Sequence, residues 1–170
     1  DWPHFAALFD CPAPAAAPRT VPPANVRIAV ARDAAFCFTY AETLEALQEK
    51  GAELCFFSPL QDTALPPNIG GLYLPGGYPE LYAAQLAANT AMRSAVKTAV
   101  ESGLPTVAEC GGFLYLGQTL EGADGKTYPM AGVLPGQGVK IGHLVRFGYA
   151  ALTSNADSML FAAGETLSIH

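Results

Sequence analysis

A cysteine followed by two glycines, Cys110-Gly111-Gly112, stands between two apolar runs in TVAECGGFLYL, residues 106–116. A buried core thiol has no use for glycine neighbours. A thiol presented on a tight turn between a strand and a helix does, because that turn is strained and the side chain must stand clear of it. Beside a helix N-terminus, unpaired amide hydrogens and the helix dipole favour thiolate over thiol, and the same amides can hold the oxyanion that forms when sulfur attacks a carbonyl. A second glycine turn, LPGGYPE at 74–80, also follows an apolar run, so the amide of Gly76 or Gly77 can face Cys110 and complete an oxyanion pocket with that of Gly111. Nucleophilic acyl transfer is the chemistry this arrangement allows. A plainer reading stands beside it: Cys110 is a small buried hydrophobe, and the glycines permit close helix packing.

The elements that must position these turns are legible as alternating strands and helices. VRIAVAR, residues 26–32, is an apolar, β-branched run that reads as a buried strand. FTYAETLEALQEKG then reads as a helix with Leu44 and Leu47 on one face and Gly51 where a left-handed C-cap belongs. AELCFFS and GLYLPGG give the second and third strands, separated by the loop SPLQDTALPPNIG. YPELYAAQLAANTAMRSAVKTAVESG is helical in two pieces, with Pro79 in a first turn and Asn89 or Thr90 capping the second. TVAE is the fourth strand, and a helix starts at Gly111. Continuous apolar strands alternating with helices imply a parallel sheet covered on both faces, a flavodoxin-like three-layer α/β sandwich whose sites lie at the carboxyl ends of the strands. Both glycine turns fall there. Beyond Leu120 the pattern changes to turns and short strands that extend or decorate the sheet.

Composition sets the outer limits. At 170 residues and 51% hydrophobic, one domain can bury roughly 70% of its unfolded surface. A net charge of −6 without a Lys/Arg cluster argues against nucleic acid as a partner. Cys11, Cys37, Cys55 and Cys110 form no C-x-x-C pair, so neither a zinc site nor a redox dithiol is indicated, and no metal is expected. No apolar run approaches the ~20 residues of a membrane span, so the expectation is a cytoplasmic protein with reduced thiols. Residues 1–24, rich in Pro and Ala, read as a linker or domain-boundary arm, leaving 25–170 as the folded domain.

LYLPGGYPEL and AECGGFLYL, with FFSPLQD before them, together resemble the glutaminase domain of the cobyrinic acid a,c-diamide synthase family, within the class I glutamine amidotransferases. The resemblance runs from about Val26 to the C-terminus. It implies that Cys110 attacks the side-chain carboxamide of glutamine to give a thioester, releasing ammonia, with Gly111 and Gly76 or Gly77 as oxyanion donors. It also implies an N-terminal, ATP-dependent synthetase domain that amidates the acetate side chains of a corrin. No G-x-x-x-x-G-K-[ST] phosphate loop occurs in residues 1–170, so ATP and magnesium are expected on that other domain and no cofactor on this one.

Acyl transfer also needs a base. The family carries it in a C-terminal motif resembling HEFH, whose second histidine is the catalytic one by comparison with related amidotransferases. In ETLSIH, His170 matches the first histidine, which places the catalytic one three positions further on and leads us to expect a truncated domain with little or no glutaminase turnover. The competing assignments make His170 itself the base, or His143 in KIGHLVRFGY a substitute. His4 lies in the linker.

Among other polar residues, Glu80 is a candidate for the glutamine amino group, though an acid in a first helical turn is favourable for dipole reasons alone. Glu109 either helps orient the site or pairs with a neighbouring donor. Arg32 and Asp33, ending the first strand, either face the synthetase domain or form a local ion pair. Phe36, Phe38 and Tyr40 alternate, as do Phe113 and Tyr115, and core packing accounts for most of them. One exposed set would mark the surface from which ammonia passes to the synthetase. Two other classes stay open: an elbow-cysteine protein similar to the DJ-1-type hydrolases and chaperones, and a non-catalytic interaction module of amidotransferase fold.

Overall fold

The structure, a computed structural model, describes residues 23–143, 145 and 148–169. The central sheet is built from β1 (Val26–Ala31), β2 (Ala52–Phe57), β3 (Gly71–Leu74) and β4 (Thr106–Ala108), in the spatial order β2-β1-β3-β4. Every pairing is parallel, with Ala29 opposite Cys55 and Leu72, and Tyr73 opposite Val107. The reason lies in the sequence: β1 and β3 are continuous apolar runs, and a strand that is apolar on both faces is stable only in the middle of a covered parallel sheet. All of Gly71–Leu74 and the second half of β1 are buried. This is the expected flavodoxin-like architecture.

Helices α1 (Ala41–Glu49), α2 (Ala83–Ala88), α3 (Thr90–Glu101) and α4 (Gly111–Leu116) cover the sheet unequally. Leu86, Met92, Val96 and Tyr115 from α2–α4 are fully buried against the face that carries Ala29, Ala31 and Leu74. Helix α1 lies over the other face and contributes no buried residue. Several punctuation signals act as read. Gly51 and Gly103 follow their helices at φ 89°. Pro79 opens a short 3-10 turn, Pro79–Leu81, and the Asn89 side chain accepts from Met92 N at 3.2 Å, capping α3.

Two differences matter for the site. The first helix starts at Ala41, because Phe38 is taken into an isolated antiparallel bridge with Gly76, its N–H donating to Gly76 O at 3.1 Å. The distal strands do not extend the central sheet. β5 (Thr119–Glu121), β6 (Thr127–Pro129) and β7 (Gln137–Gly138) form a second sheet in the order β6-β5-β7, and β8 (Ala150–Thr153) pairs only with β9 (Thr166–Ile169) as a hairpin. The second sheet is pinned to the domain by backbone bonds from Ala131 N to Tyr115 O and Ala123 N to Glu80 O, each 2.9 Å. No helix among the described residues is long and apolar enough to cross a membrane.

Candidate active site

Cys110 stands where β4 turns into α4, at φ 47° and ψ −109°. Such a backbone is rare for a residue with a side chain and costs of order 1–3 kcal/mol, so the surroundings must over-determine it. They do. Glu109 N donates to Leu74 O at 3.0 Å, and Gly112 N reaches both Glu109 O at 2.8 Å and Pro75 O at 3.0 Å, so the turn is tied to the end of β3 on either side of the cysteine. A Cβ on Gly112 would stand 2.1 Å from Leu74 O, and one on Gly111 would stand 2.8 Å from Pro79 Cδ. The glycines are therefore required by close approach to the neighbouring turn, and Cys110, the residue between this packing and solvent, is exposed. The buried-hydrophobe reading of Cys110 does not describe it.

The PGG turn faces the cysteine. A Cβ placed on Gly76 would lie 3.5 Å from Cys110 Cβ, and one placed on Gly111 would lie 3.1 Å from Gly77 N. The Gly76 carbonyl accepts from Phe38 N at 3.1 Å, while Tyr78 N donates to Ala35 O at 3.0 Å. No internal hydrogen bond among the described residues takes up the amides of Gly77 and Gly111. Of the two glycines left open by sequence, Gly77 is the one whose amide sits beside Gly111.

Cys110, Gly77 and Glu80 open on one cavity of about 490 Å3. Phe38, Tyr78 and Leu114 line it on the central-domain side; Glu121, Val139 and Lys140 line it from the second sheet. Glu121 Oε2 accepts from Lys140 N at 3.0 Å, which fixes the glutamate against the strand end. Sequence reading missed Glu121 and Lys140, since nothing in their local pattern says that β5–β7 folds back over the elbow. The only signal was their charge in a turn-rich stretch.

The other candidates resolve as follows. Glu109 turns away from this cavity and accepts from the Tyr73 hydroxyl at 2.6 Å, on the opposite face, where it lines a separate apolar cavity of about 370 Å3 with Ile28, Tyr73 and Val107. Burial first, and the bond to Glu109 second, hold the Tyr73 phenol well above its ordinary pKa. Arg32 and Asp33 form no ion pair among the described residues. Arg32 lies 4.0 Å over the Phe56 ring, and Asp33 accepts from Ala35 N, Phe36 N, Ser58 Oγ and Leu60 N at 2.8, 3.2, 2.8 and 2.9 Å, joining the loops that follow β1 and β2. A carboxylate with that many donors is satisfied without a cation.

His143 is exposed and does not line the cavity. His4 and His170 lie outside the described residues. Of the aromatic residues, Phe36 and Tyr115 are core, packed edge to face with centroids 5.5 Å apart. Phe38, Tyr40 and Phe113 are exposed, so core packing holds for two of the five and not for the majority. Phe38, in the bridge with Gly76, lies on the rim of the cavity.

Residues 27–146 match the CobB/CobQ-like glutamine amidotransferase domain family. The chain is 46% identical to the cobyrinate a,c-diamide synthase of Dehalococcoides mccartyi over 163 residues, which are 96% of this chain and 35% of that protein. It is 53% identical to the hydrogenobyrinate a,c-diamide synthase of Pseudomonas aeruginosa over 129 residues, 76% of this chain and 29% of that protein. The cobyrinate a,c-diamide synthase of Synechocystis sp. is 43% identical over 167 residues, 95% of this chain and 34% of that protein. The chain spans about a third of the length of these relatives.

Proposed function

Because the chain belongs to the CobB/CobQ-like glutamine amidotransferase domain family, we propose that it hydrolyses glutamine and supplies ammonia to an ATP-dependent amide ligase acting on the a and c acetate groups of a corrin-type ring. The observation that carries this reading is the exposed, strained Cys110 beside two unengaged amides in a cavity large enough for an amino acid. The sulfur, as thiolate, attacks the side-chain carboxamide carbon of glutamine and forms the C–S bond. The carbonyl oxygen takes up the negative charge between the Gly111 and Gly77 amides, each such donor being worth roughly 3 to 4 kcal/mol where deletion has been measured elsewhere. Collapse of the adduct breaks the C–N bond, and the nitrogen leaves as ammonia after gaining a proton. Water then attacks the thioester, releasing glutamate and returning the thiol.

The proton transfers need a histidine, which the resemblance gives to a C-terminal motif; His143 is exposed and does not line the cavity. Glu80 meets the α-ammonium of glutamine on this reading, which its position in the cavity lining supports. On this reading the ammonia acceptor sits on a separate synthetase domain, to which the resemblance gives ATP, magnesium and the corrin. Phe38, Tyr78 and Leu81 form an exposed apolar margin of the cavity that suits such a partner.

The test is covalent capture, which needs no turnover. Incubated with 6-diazo-5-oxo-L-norleucine, the protein is expected to gain one adduct on Cys110, and free glutamine is expected to slow it. Adduct formation indifferent to glutamine would favour the DJ-1-like class, and a thiol no more reactive than Cys37 would favour the interaction module.

A further inference from the structure

The second sheet brings charge to a cavity that is otherwise mostly apolar. Glu121 and Lys140 come from the β5–β7 side, across the cavity from the β1–Ala41 connection that carries Phe38, and neither belongs to the flavodoxin-like core. One oxygen of Glu121 is held by Lys140 N at 3.0 Å, and no hydrogen bond or ion pair among the described residues occupies its other oxygen or the Lys140 ammonium. The backbone bond from Ala123 N to Glu80 O, 2.9 Å, locks the β5–β6 turn to the 3-10 turn that carries Glu80, so the positions of the two glutamates relative to Cys110 are set by main chain on both sides.

A carboxylate fixed by the Lys140 main-chain N–H, and a lysine on the same wall whose ammonium has no partner among the described residues, suit a zwitterion whose electrophilic carbon meets the nucleophile in the same cavity. We propose that Glu121 and Lys140 read the amino-acid end of the substrate, Glu121 pairing with the α-ammonium alongside Glu80 and Lys140 receiving the α-carboxylate. The proposal rests on the glutaminase reading and deepens it. A primary carboxamide by itself does not separate free glutamine from glutamine within a polypeptide, whose α-nitrogen and α-carbonyl are uncharged amides. The two charges do, because burying either one against an unpaired neutral amide leaves a polar group without its partner. In this view the central sheet supplies the reaction, and the appended sheet supplies the choice of substrate.

The experiment compares Glu121→Gln and Lys140→Met with the unaltered protein, using two probes of Cys110 followed by mass spectrometry. One is 6-diazo-5-oxo-L-norleucine, which carries both charges of glutamine; the other is iodoacetamide, which carries neither. Gln at position 121 keeps an oxygen for the Lys140 N–H, and Met at position 140 keeps the aliphatic length, so each variant removes charge and leaves the local packing. Each variant is expected to lower the rate of diazo-ketone capture about tenfold or more, the usual scale for one lost charge-assisted contact. Iodoacetamide should still modify Cys110 at the unaltered rate. The same variants should lose the preference of the unaltered protein for the diazo-ketone over its des-amino analogue (Glu121→Gln) or its des-carboxy analogue (Lys140→Met).

Capture of both variants at the unaltered rate overturns the proposal while leaving the glutaminase reading intact. An equal fall with both probes also overturns it, because the residues would then be shaping the elbow and not the choice of substrate. Failure of the glutaminase reading is seen earlier and separately, in an unaltered protein whose capture glutamine does not slow.

Discussion

The glycines at the elbow and the glycines of the appended sheets are the same residue used for opposite reasons. At the elbow, Gly77, Gly111 and Gly112 sit where a Cβ would strike Ala35 O at 2.1 Å, Pro79 Cδ at 2.8 Å and Leu74 O at 2.1 Å. In the distal third, Gly125, Gly148 and Gly164 have φ of 75°, 148° and 85° and nothing within 4 Å of the position a Cβ would take. The first group lets three stretches of backbone converge; the second lets one chain reverse. A nucleophile on a sharp turn therefore depends on density around it, whereas the wall that faces it reaches the core only through a few side chains, Leu120, Met130 and Ala131 among them, and turns at open glycines.

The largest contrast between the two regions is expected from paired alanine substitutions. Gly112→Ala drives a methyl into the Leu74 peptide, which cannot yield because β3 is central and fully buried, and a loss of about 3 kcal/mol or more of unfolding free energy is expected. Gly125→Ala meets open space and should cost only the backbone term, about 1 kcal/mol. Equal costs in urea denaturation would erase the distinction between convergence and reversal.

A second contrast concerns how each region holds its loops. Asp33→Ala removes the acceptor of four hydrogen bonds that join the loops after β1 and β2, with an expected cost of about 2–3 kcal/mol. Asp124 in the second sheet accepts from Lys126 N at 3.1 Å and from the Tyr128 hydroxyl at 2.7 Å in full view of solvent, and Asp124→Ala should barely move the unfolding midpoint. A large shift there would mean that the appended sheet is as tightly built as the core.

The smallest effect is the sharpest for the elbow itself. Cys110→Gly removes the side chain that makes φ 47°, ψ −109° costly, and glycine gives back some of that gain as unfolded-chain entropy. Stability should stay level or rise by about 1 kcal/mol while diazo-ketone capture vanishes, the signature of strain held for function. A clear loss of stability would mean that the cysteine side chain contributes packing after all.

Much of the first region was open to sequence reading because its signals are local. Apolar runs marked β1 to β4, Gly51 and Asn89 marked helix ends, and CGG after a strand marked a turn too tight for side chains. Phe38 shows where that method ends. Its neighbours suggest a helix, and only a partner thirty-eight positions away, Gly76, takes it into a bridge. The same limit applies to Glu109, whose partner Tyr73 lies on another strand, and to Arg32 and Asp33, adjacent in the chain yet committed to different neighbours.

The sequence by itself determined the alternating architecture, the position of the strand ends and the thiol that stands there, since each follows from hydrophobic period and from the conformations glycine and proline allow within a few residues. Tertiary structure decided which amide joins that of Gly111, which face Glu109 serves, and that Glu121 and Lys140 belong to the cavity at all. Those outcomes depend on contacts between segments far apart in the chain, and a polar residue in a turn carries no local trace of the wall it will complete.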